Sequence, residues 1–126
     1  MTEKIKFDII VVDDDRMLLS YLKDFLNCHD MDVYTADCAY EAINVIKSRG
    51  FDLLLTDLQM PGMDGIELAR KVRTMRPDMP IIMHTGNLLP EHYSLVERAV
   101  VSRVLDKTTS PMELLDIVRQ CCSAAV

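Results

Sequence analysis

Five short apolar runs recur along the chain, and amphipathic helical patterns separate them. This alternation constrains the fold more than any other feature of the sequence, because each run has the length and the apolar character of a buried strand. The predicted strands are Ile9–Val12, Val33–Ala36, Leu53–Thr56, Ile81–His84 and Arg103–Leu105. The apolar positions of the first three helices are Met17, Leu18, Tyr21, Leu22, Phe25 and Leu26, then Ala42, Ile43 and Ile46, then Ile66, Ala69 and Val72.

Two further helices follow the fourth and fifth strands. One is predicted over Glu91–Ala99, and the other runs from Pro111 to about Cys121. Ser110 followed by Pro111 is typical of a helix start, with an N-cap hydroxyl and a proline at the first helical position. The inward positions predicted for the last helix are Leu114, Leu115 and Val118.

Strict β-α alternation with continuously apolar strands predicts an α/β fold, in which helices cover both faces of a parallel sheet. The pattern is (βα)5. In such doubly wound sheets, ligands bind beyond the carboxyl ends of the strands, near the point where the strand order reverses.

The length of 126 residues fits one domain, predicted over 1–126, and a composition of 49% hydrophobic and 27% charged residues is that of a folded protein. The net charge of −6, without a basic stripe, argues against direct binding of nucleic acid. The charged start MTEKIKFD does not resemble a signal peptide, and no apolar run approaches the ~20 residues of a membrane span, so we expect a cytoplasmic protein. Four cysteines without metal-like spacing are expected to be reduced, partly buried thiols, and the nine methionines to fill the core.

Polar residues follow four of the predicted strands at the same edge of the sheet. Two carboxylates about 4 Å apart near a protein surface repel by roughly 4 kcal/mol, so this cluster requires protons or a counter-charge. The residues at the strand ends are Asp13, Asp14 and Asp15; Thr56 and Asp57; Thr85; and Asp106 and Lys107.

A carboxylate cluster without histidine or cysteine favours a hard divalent cation, and two or three acids plus waters suit Mg²⁺. Mg²⁺ commonly bridges carboxylates to a phosphoryl group, and Lys107 could neutralise the same group. Asp57, held by a metal and a lysine, could then attack phosphorus and form an acyl phosphate.

The motifs IIVVDDDR, LLLTDLQMPGMDG, IIMHTG and VLDK resemble, in this order, the strand-end motifs of bacterial response-regulator receiver domains. The resemblance covers essentially the whole chain, and DLQMPGMDG is its most specific part. It implies the flavodoxin-like strand order 2-1-3-4-5 and two-component phosphorelay signalling. The roles that it implies are Asp57 as phosphoacceptor, Asp13 and Asp14 as Mg²⁺ ligands together with Asp57 and the backbone carbonyl of Gln59, Thr85 as switch hydroxyl, and Lys107 as phosphate partner.

The partner implied by the resemblance is a sensor histidine kinase or a histidine phosphotransfer protein. The output partner or output domain is left open, and so is whether the chain stands alone or is part of a larger regulator. The resemblance implies a phosphoacceptor switch with weak self-catalysed phosphotransfer and dephosphorylation, rather than a metabolic enzyme.

Several neighbouring residues have ordinary structural interpretations. Asp64 is expected to cap a helix, and Asp15 is better suited to capping the first helix than to binding metal. His84 is expected to be a packed histidine. Around the predicted metal loop, Gly62 and Gly65, after Pro61, allow the sharp turn that must precede the third helix.

The chain departs from the family pattern at three places. Val104 replaces the usual aromatic residue three positions before the lysine, and its stiff side chain cannot swing between core and solvent. Thr108 replaces the proline that usually follows the lysine, so we expect a trans Lys107–Thr108 peptide and a Lys107 that still reaches Asp57. Residues 99–103 lack the glycine that commonly ends the fourth helix.

Two other functions compete with the phosphoacceptor. Asp13 and Asp15 form the DxD pattern of haloacid-dehalogenase-like phosphatases, which would make Asp13 the nucleophile and Asp15 a general acid, but this leaves DLQMPGMDG unexplained. A degenerate receiver would serve as a scaffold that needs no phosphorylation, but the complete set of acids, hydroxyl and lysine argues against it.

Overall fold

A computed structural model describes residues 6–124 as a five-stranded parallel sheet with helices on both faces. The strand order β2-β1-β3-β4-β5 is the one that the resemblance implies, so this prediction is confirmed. Along the chain the elements are β1 Phe7–Val12, α1 Arg16–Asn27, β2 Met31–Ala36, α2 Ala39–Ser48, β3 Leu53–Thr56, α3 Gly65–Met75, β4 Ile81–Thr85, a 3₁₀ helix Pro90–Tyr93, α4 Ser94–Glu97, β5 Arg103–Asp106 and α5 Pro111–Ala124.

The central strands are apolar on both sides because both of their faces are covered. Every residue of β3 and β4 is buried, whereas the edge strands β2 and β5 alternate between covered and more exposed positions. All five strands lie where the sequence predicts them, and all but β3 extend one or two residues further. The strand predictions rested on apolar runs, and the extra residues are mainly polar or lie at the ends of those runs.

Successive residues of a strand pack into two separate apolar cores, one on each face of the sheet. Ile10, Leu54 and Met83 pack on one face against α2 and α3, and Ile9 and Leu55 pack on the other against α1 and α5. The inward positions predicted for α2 and α5 are all buried. The chain therefore closes two apolar layers around one sheet, which leaves the ends of the strands free to carry polar groups.

The predicted apolar stripe of α1 is wrong at two positions. Met17 is 85% exposed and Tyr21 is 48% exposed, whereas Leu19, outside the predicted stripe, is buried beside Leu22 and Leu26. The helical period identifies a face but does not show which of its residues lie over the sheet. Met17 stands in the first turn of the helix, and Tyr21 stacks on Phe25 at a ring distance of 6.2 Å. Met112 is also exposed, so the methionines are not all core residues.

The fourth helix is shorter than the predicted Glu91–Ala99, because a 3₁₀ turn forms its first part and α4 ends at Glu97. The end is a Schellman motif, in which Val100 N donates to Leu95 O at 3.0 Å and Ala99 N to Val96 O at 2.9 Å. Ala99 has φ of 57°, so an alanine occupies the left-handed position that glycine usually fills.

The predicted helix caps are present. The Asp15 carboxylate accepts hydrogen bonds from the backbone N–H groups of Met17 and Leu18, Asp64 accepts from Glu67, and the Ser110 hydroxyl accepts from Glu113. The four cysteines are free thiols, as expected, although Cys28 is exposed. Among residues 6–124, no helix is both long enough and apolar enough to span a membrane.

Candidate functional site

Backbone hydrogen bonds from the sheet place three of the predicted site residues. Each residue follows the last residue of its strand and donates its N–H to a neighbouring strand: Asp13 to Ala36 O at 3.2 Å, Asp57 to Val12 O at 2.8 Å, and Lys107 to Thr85 O at 2.8 Å. The backbone of each of these residues is therefore held by hydrogen bonds that continue the sheet ladder. The parallel register brings their side chains to one edge, as the alternation of strands and helices predicts.

Asp13, Asp14 and Asp57 form a carboxylate cluster at this edge. One oxygen from each of the three lies within 4.8 Å of the other two. Asp13 and Asp57 are buried, and Asp14 is exposed. The cluster is thus shielded from solvent at Asp13 and Asp57 and open to solvent at Asp14.

Lys107 supplies a positive charge to the two buried acids. Its Nζ atom lies 2.9 Å from Asp13 Oδ2 and 3.3 Å from Asp57 Oδ2. The predicted approach of Lys107 to Asp57 is confirmed, and its shorter contact with Asp13 was not anticipated. The Lys107–Thr108 peptide is trans, as predicted, since no cis peptide occurs in the described part of the chain.

Asp57 is held in an environment that opposes its own charge. Burial and the neighbouring Asp13 raise the pKa of Asp57 above its usual range, although Lys107 and the Leu58 N–H lower it in part. The Leu58 N–H donates to Asp57 Oδ1 at 2.8 Å, so one carboxylate oxygen is bound and the other faces Lys107. The carboxylate is therefore oriented, and its burial disfavours the charged form despite the nearby Lys107.

The pKa of Lys107 is shifted in the opposite direction to that of a simple buried amine. Burial by itself lowers its pKa, but the hydrogen bonds and charges of Asp13 and Asp57 outweigh that effect, so the pKa of Lys107 lies above its ordinary value. The ammonium form is thus stabilised by the cluster that it serves.

The loop between β3 and α3 turns sharply beside Asp57. Gly62 has φ of 77°, and Gly65 N donates to Leu58 O at 2.8 Å. Glycine is needed at these two positions for different reasons. Gly62 adopts a left-handed backbone conformation, whereas a side chain at position 65 would collide with the backbone of Asp57. Gln59 lies exposed in this loop.

β4 ends in two buried polar residues next to the cluster. The Thr85 hydroxyl accepts a hydrogen bond from Asn87 N at 3.2 Å, which is the ordinary turn-capping contact expected of such a residue. His84 is packed, as predicted, and burial, together with Lys107, lowers its pKa to about 4 against the opposing effects of Asp13 and Asp106.

The structure also contains features that the sequence analysis missed. His92 is buried in the 3₁₀ helix, and its Nδ1 accepts from Leu89 N at 3.0 Å. The signal available in the sequence was a histidine three residues after the N-cap position, Leu89. A second group, Asp37, Cys38 and Glu41, also has ligand atoms within 4.8 Å, but Arg16 already pairs with Asp37 at 2.8 Å.

The donor set of the first cluster fits Mg²⁺. Its ligand atoms are all hard carboxylate oxygens, and the exposed Asp14 lies on a side that is open to water. A cation bound there would offset the repulsion by Asp13 that contributes to the raised pKa of Asp57. Asp13, Asp14 and Asp57 would hold the ion. Asp15 turns its carboxylate to the end of α1 and is not a member of the cluster.

This geometry, an acid cluster with a lysine at the carboxyl edge of a 2-1-3-4-5 sheet, defines a class of signalling domain. The chain belongs to the response regulator receiver domain family, whose sequence model matches residues 9–119. Proteins of this family are phosphoacceptor switches that bind Mg²⁺ at the acidic pocket.

Among relatives, the heme response regulator HssR of Staphylococcus aureus is 31% identical over 109 residues, which are 86% of this chain and 47% of HssR. The chain thus spans about half the length of the curated relatives that it matches. A CheY-like receiver domain from Methanospirillum hungatei superposes with a TM-score of 0.90 at 30% identity, covering 94% of this chain and 95% of that one. The Thermotoga maritima response regulator TrrA, solved in complex with Mg²⁺–BeF, has a TM-score of 0.82 at 28% identity and coverages of 91% and 98%.

Proposed function

We propose that this chain accepts a phosphoryl group on Asp57 in a Mg²⁺-dependent reaction and thereby changes conformation. The observation that supports this most directly is the arrangement around Asp57, whose Oδ2 lies 3.3 Å from Lys107 Nζ and whose carboxylate is clustered with two other acids. The donor would be a phosphohistidine on a sensor histidine kinase or a histidine phosphotransfer protein. The receiver unit would comprise the whole of residues 1–126.

In this reaction a carboxylate oxygen of Asp57 attacks phosphorus, and the bond from phosphorus to the donor nitrogen breaks. The donor imidazole leaves with the bonding electron pair and takes up a proton from solvent. The Leu58 N–H, bound to Asp57 Oδ1 at 2.8 Å, fixes the plane of the attacking group. Burial helps because a partly desolvated carboxylate is a stronger nucleophile than a fully hydrated one.

Charge compensation comes from the residues on either side. Mg²⁺, when bound, would neutralise the phosphoryl oxygens and the acid cluster. Asp13, Asp14, Asp57 and the Gln59 carbonyl would be its protein ligands. The ammonium of Lys107 would pair with a phosphoryl oxygen from the other side, exchanging part of its present contact with Asp57.

The conformational response would begin at Thr85. Its hydroxyl now caps the turn at Asn87, and it would leave that contact to bind the phosphoryl group. Val104 on the neighbouring strand has no ring to move, so the response would pass through the backbone of the β4–α4 loop. Release of the phosphoryl group by slow self-catalysed hydrolysis would reset the protein.

The competing phosphatase assignment is disfavoured by the position of Asp15. Its carboxylate accepts two backbone N–H groups of α1, so it is not available as a general acid at the cluster. The phosphatase assignment also conflicts with the family of the chain.

Intact-mass measurement after incubation with phosphoramidate, a small donor with a phosphorus–nitrogen bond, tests the proposal. One phosphoryl group should be gained in the presence of Mg²⁺ and none in the presence of EDTA. The Asp57→Asn variant should gain none, whereas Asp116→Asn, which changes an exposed acid on α5, should behave as the parent does. Labelling of Asp57→Asn, or labelling that ignores EDTA, would refute the proposal.

A further inference from the structure

The residues on either side of Lys107 form a tight turn that the family pattern does not contain. Asp106 Oδ1 accepts the Thr108 N–H at 2.8 Å, and the Thr108 side chain also hydrogen-bonds to this carboxylate. The backbone closes the same turn, because Thr109 N donates to Asp106 O at 3.0 Å. Asp106 therefore binds both residues that follow Lys107.

This turn depends on Thr108 being a residue other than proline. A proline has no N–H to donate, so the family's usual residue at this position could not make the contact with Asp106. The side chain of Asp106 and the identity of Thr108 thus act together. Removing the Asp106 carboxylate or replacing Thr108 by proline would each remove this hydrogen bond.

Lys107 lies between this turn and a second fixed point. Its own N–H donates to Thr85 O at 2.8 Å, so the sheet holds the backbone before it and the Asp106 turn holds the backbone after it. A lysine side chain is long and flexible, and the direction in which it starts determines what it can reach. Here it reaches Asp13 at 2.9 Å and Asp57 at 3.3 Å.

We propose that Asp106 is a positioning residue for phosphoryl transfer, which aims Lys107 at Asp57 by holding the Thr108 N–H. This inference rests on the proposed function of Asp57 as phosphoacceptor. Asp106 acts through Lys107 and has no contact with the reacting carboxylate of its own. The hydrogen bonds from Thr108 lower the pKa of Asp106, which agrees with a carboxylate that serves as a steady acceptor.

The first test compares initial rates of labelling by phosphoramidate at saturating Mg²⁺. Asp106→Ala should slow labelling roughly tenfold, because a small misplacement of a charged group at a reacting centre is costly. Asp106→Asn keeps an Oδ1 acceptor and should restore most of the rate, which separates the hydrogen bond from the charge. Asp116→Ala, which removes an exposed acid from α5, is the matched control. Equal loss in the alanine and asparagine variants would overturn the positioning role.

The second test asks whether the effect passes through Lys107. In a Lys107→Ala background, Asp106→Ala should change the rate by less than about twofold, since residues that act through one another are not additive. A further tenfold loss would show that Asp106 acts elsewhere and would overturn the proposal. If Lys107→Ala takes up no label at all, the asparagine rescue and the exchange measurement below decide the question.

The third test is independent of phosphorylation. Hydrogen exchange of the Thr108 amide, followed by NMR in the metal-free protein, should accelerate in Asp106→Ala and stay slow in Asp106→Asn. Unchanged exchange would overturn the turn as described.

If the parent protein is never labelled, the phosphoacceptor proposal fails, whereas a labelled parent with a fully active Asp106→Ala refutes the positioning role alone.

Discussion

Gly65 lies so close to the backbone of Asp57 that a side chain at position 65 would collide with the Asp57 carbonyl oxygen. The contact joins the start of α3 to the residue after β3. Gly65→Ala should therefore destabilise the fold by roughly 1 to 3 kcal/mol, because the clash is with backbone that cannot move aside. Urea unfolding of both proteins measures the difference.

Gly50 provides a matched control for that substitution. A Cβ atom at Gly50 would meet nothing within 4 Å. Gly50→Ala should be neutral or should stabilise by about 0.4 to 1 kcal/mol through the unfolded chain. If the two variants unfold at the same urea concentration, the close approach at Gly65 has no energetic weight.

Ala99 predicts a stabilising substitution to glycine. Its φ of 57° strains an alanine in the Schellman motif that ends α4. Ala99→Gly should stabilise the protein by up to about 1 kcal/mol, since glycine adopts this backbone without a Cβ penalty. Ala42→Gly, inside α2, should have the opposite sign. If Ala99→Gly melts at a lower temperature than the parent, the strain at Ala99 is contradicted.

His84 predicts a loss of stability in acid. Its pKa is about 4 in the folded protein and near 6.5 when unfolded, so between these values the unfolded chain binds more protons and stability falls as the pH falls. The full effect is on the order of 3 kcal/mol. Asp57 works in the opposite direction, because a raised pKa makes its protonation favour the fold. Comparing the free energy of unfolding of the parent and His84→Gln from pH 7 to pH 4 isolates the histidine. Parallel curves would show that His84 titrates normally.

The acid cluster predicts different effects of its two neighbouring aspartates in the absence of metal. Asp14 is exposed and has no pairing contact with Lys107 among the described ion pairs, so Asp14→Asn should relieve repulsion and stabilise by a few tenths to about 1 kcal/mol. Asp13 pairs with Lys107 at 2.9 Å, so Asp13→Asn sacrifices an attraction as well as a repulsion. Asp13→Asn should therefore stabilise less than Asp14→Asn, or destabilise.

Mg²⁺ itself supplies the complementary measurement. The parent should melt at a higher temperature with Mg²⁺ than with EDTA, because an ion that binds only the folded state stabilises it. The rise should be smaller for Asp14→Asn and for Asp13→Asn. An equal rise in all three proteins would remove these acids from the metal site.

Val104 predicts a switch without a moving ring. Structures with and without beryllium fluoride should show the Thr85 hydroxyl leaving Asn87 while the Val104 side chain keeps its rotamer, because a β-branched residue is stiff at χ1. A displacement of Val104 between core and solvent would contradict this. Unmoved Thr85 in the beryllium fluoride complex would contradict the switch role itself.

Much of this architecture follows from period and topology alone. Apolar runs identify the strands, and parallel alternation brings Asp13, Asp57 and Lys107 to one edge without any knowledge of contacts. The period of α1 could not separate Met17 from Leu19, since whether a helical position is covered depends on where the sheet ends beneath it. The fourth helix was predicted, over Glu91–Ala99, but its 3₁₀ start and its end at Glu97 were not, because a 3₁₀ turn and an alanine terminator give no strong local signal.

Which residues form the site could be predicted better than which ion pairs and hydrogen bonds they make. The sequence indicates which acids meet, but not that Lys107 lies closer to Asp13 than to Asp57. The turn from Asp106 to Thr108 was likewise invisible, because a missing proline shows only what the loop lacks and not which hydrogen bond replaces it.

The backbone hydrogen bonds that fix Asp13, Asp57 and Lys107 have a consequence for how the site can be lost. Each of these amides continues the ladder of the sheet, bonding to Ala36, Val12 and Thr85 respectively. Loops and helix ends open at low free-energy cost, whereas the ladder of a central sheet opens mainly with the whole molecule. The backbone positions of Asp13, Asp57 and Lys107 therefore survive local opening of the surrounding loops, so this part of the site stays assembled for as long as the protein remains folded.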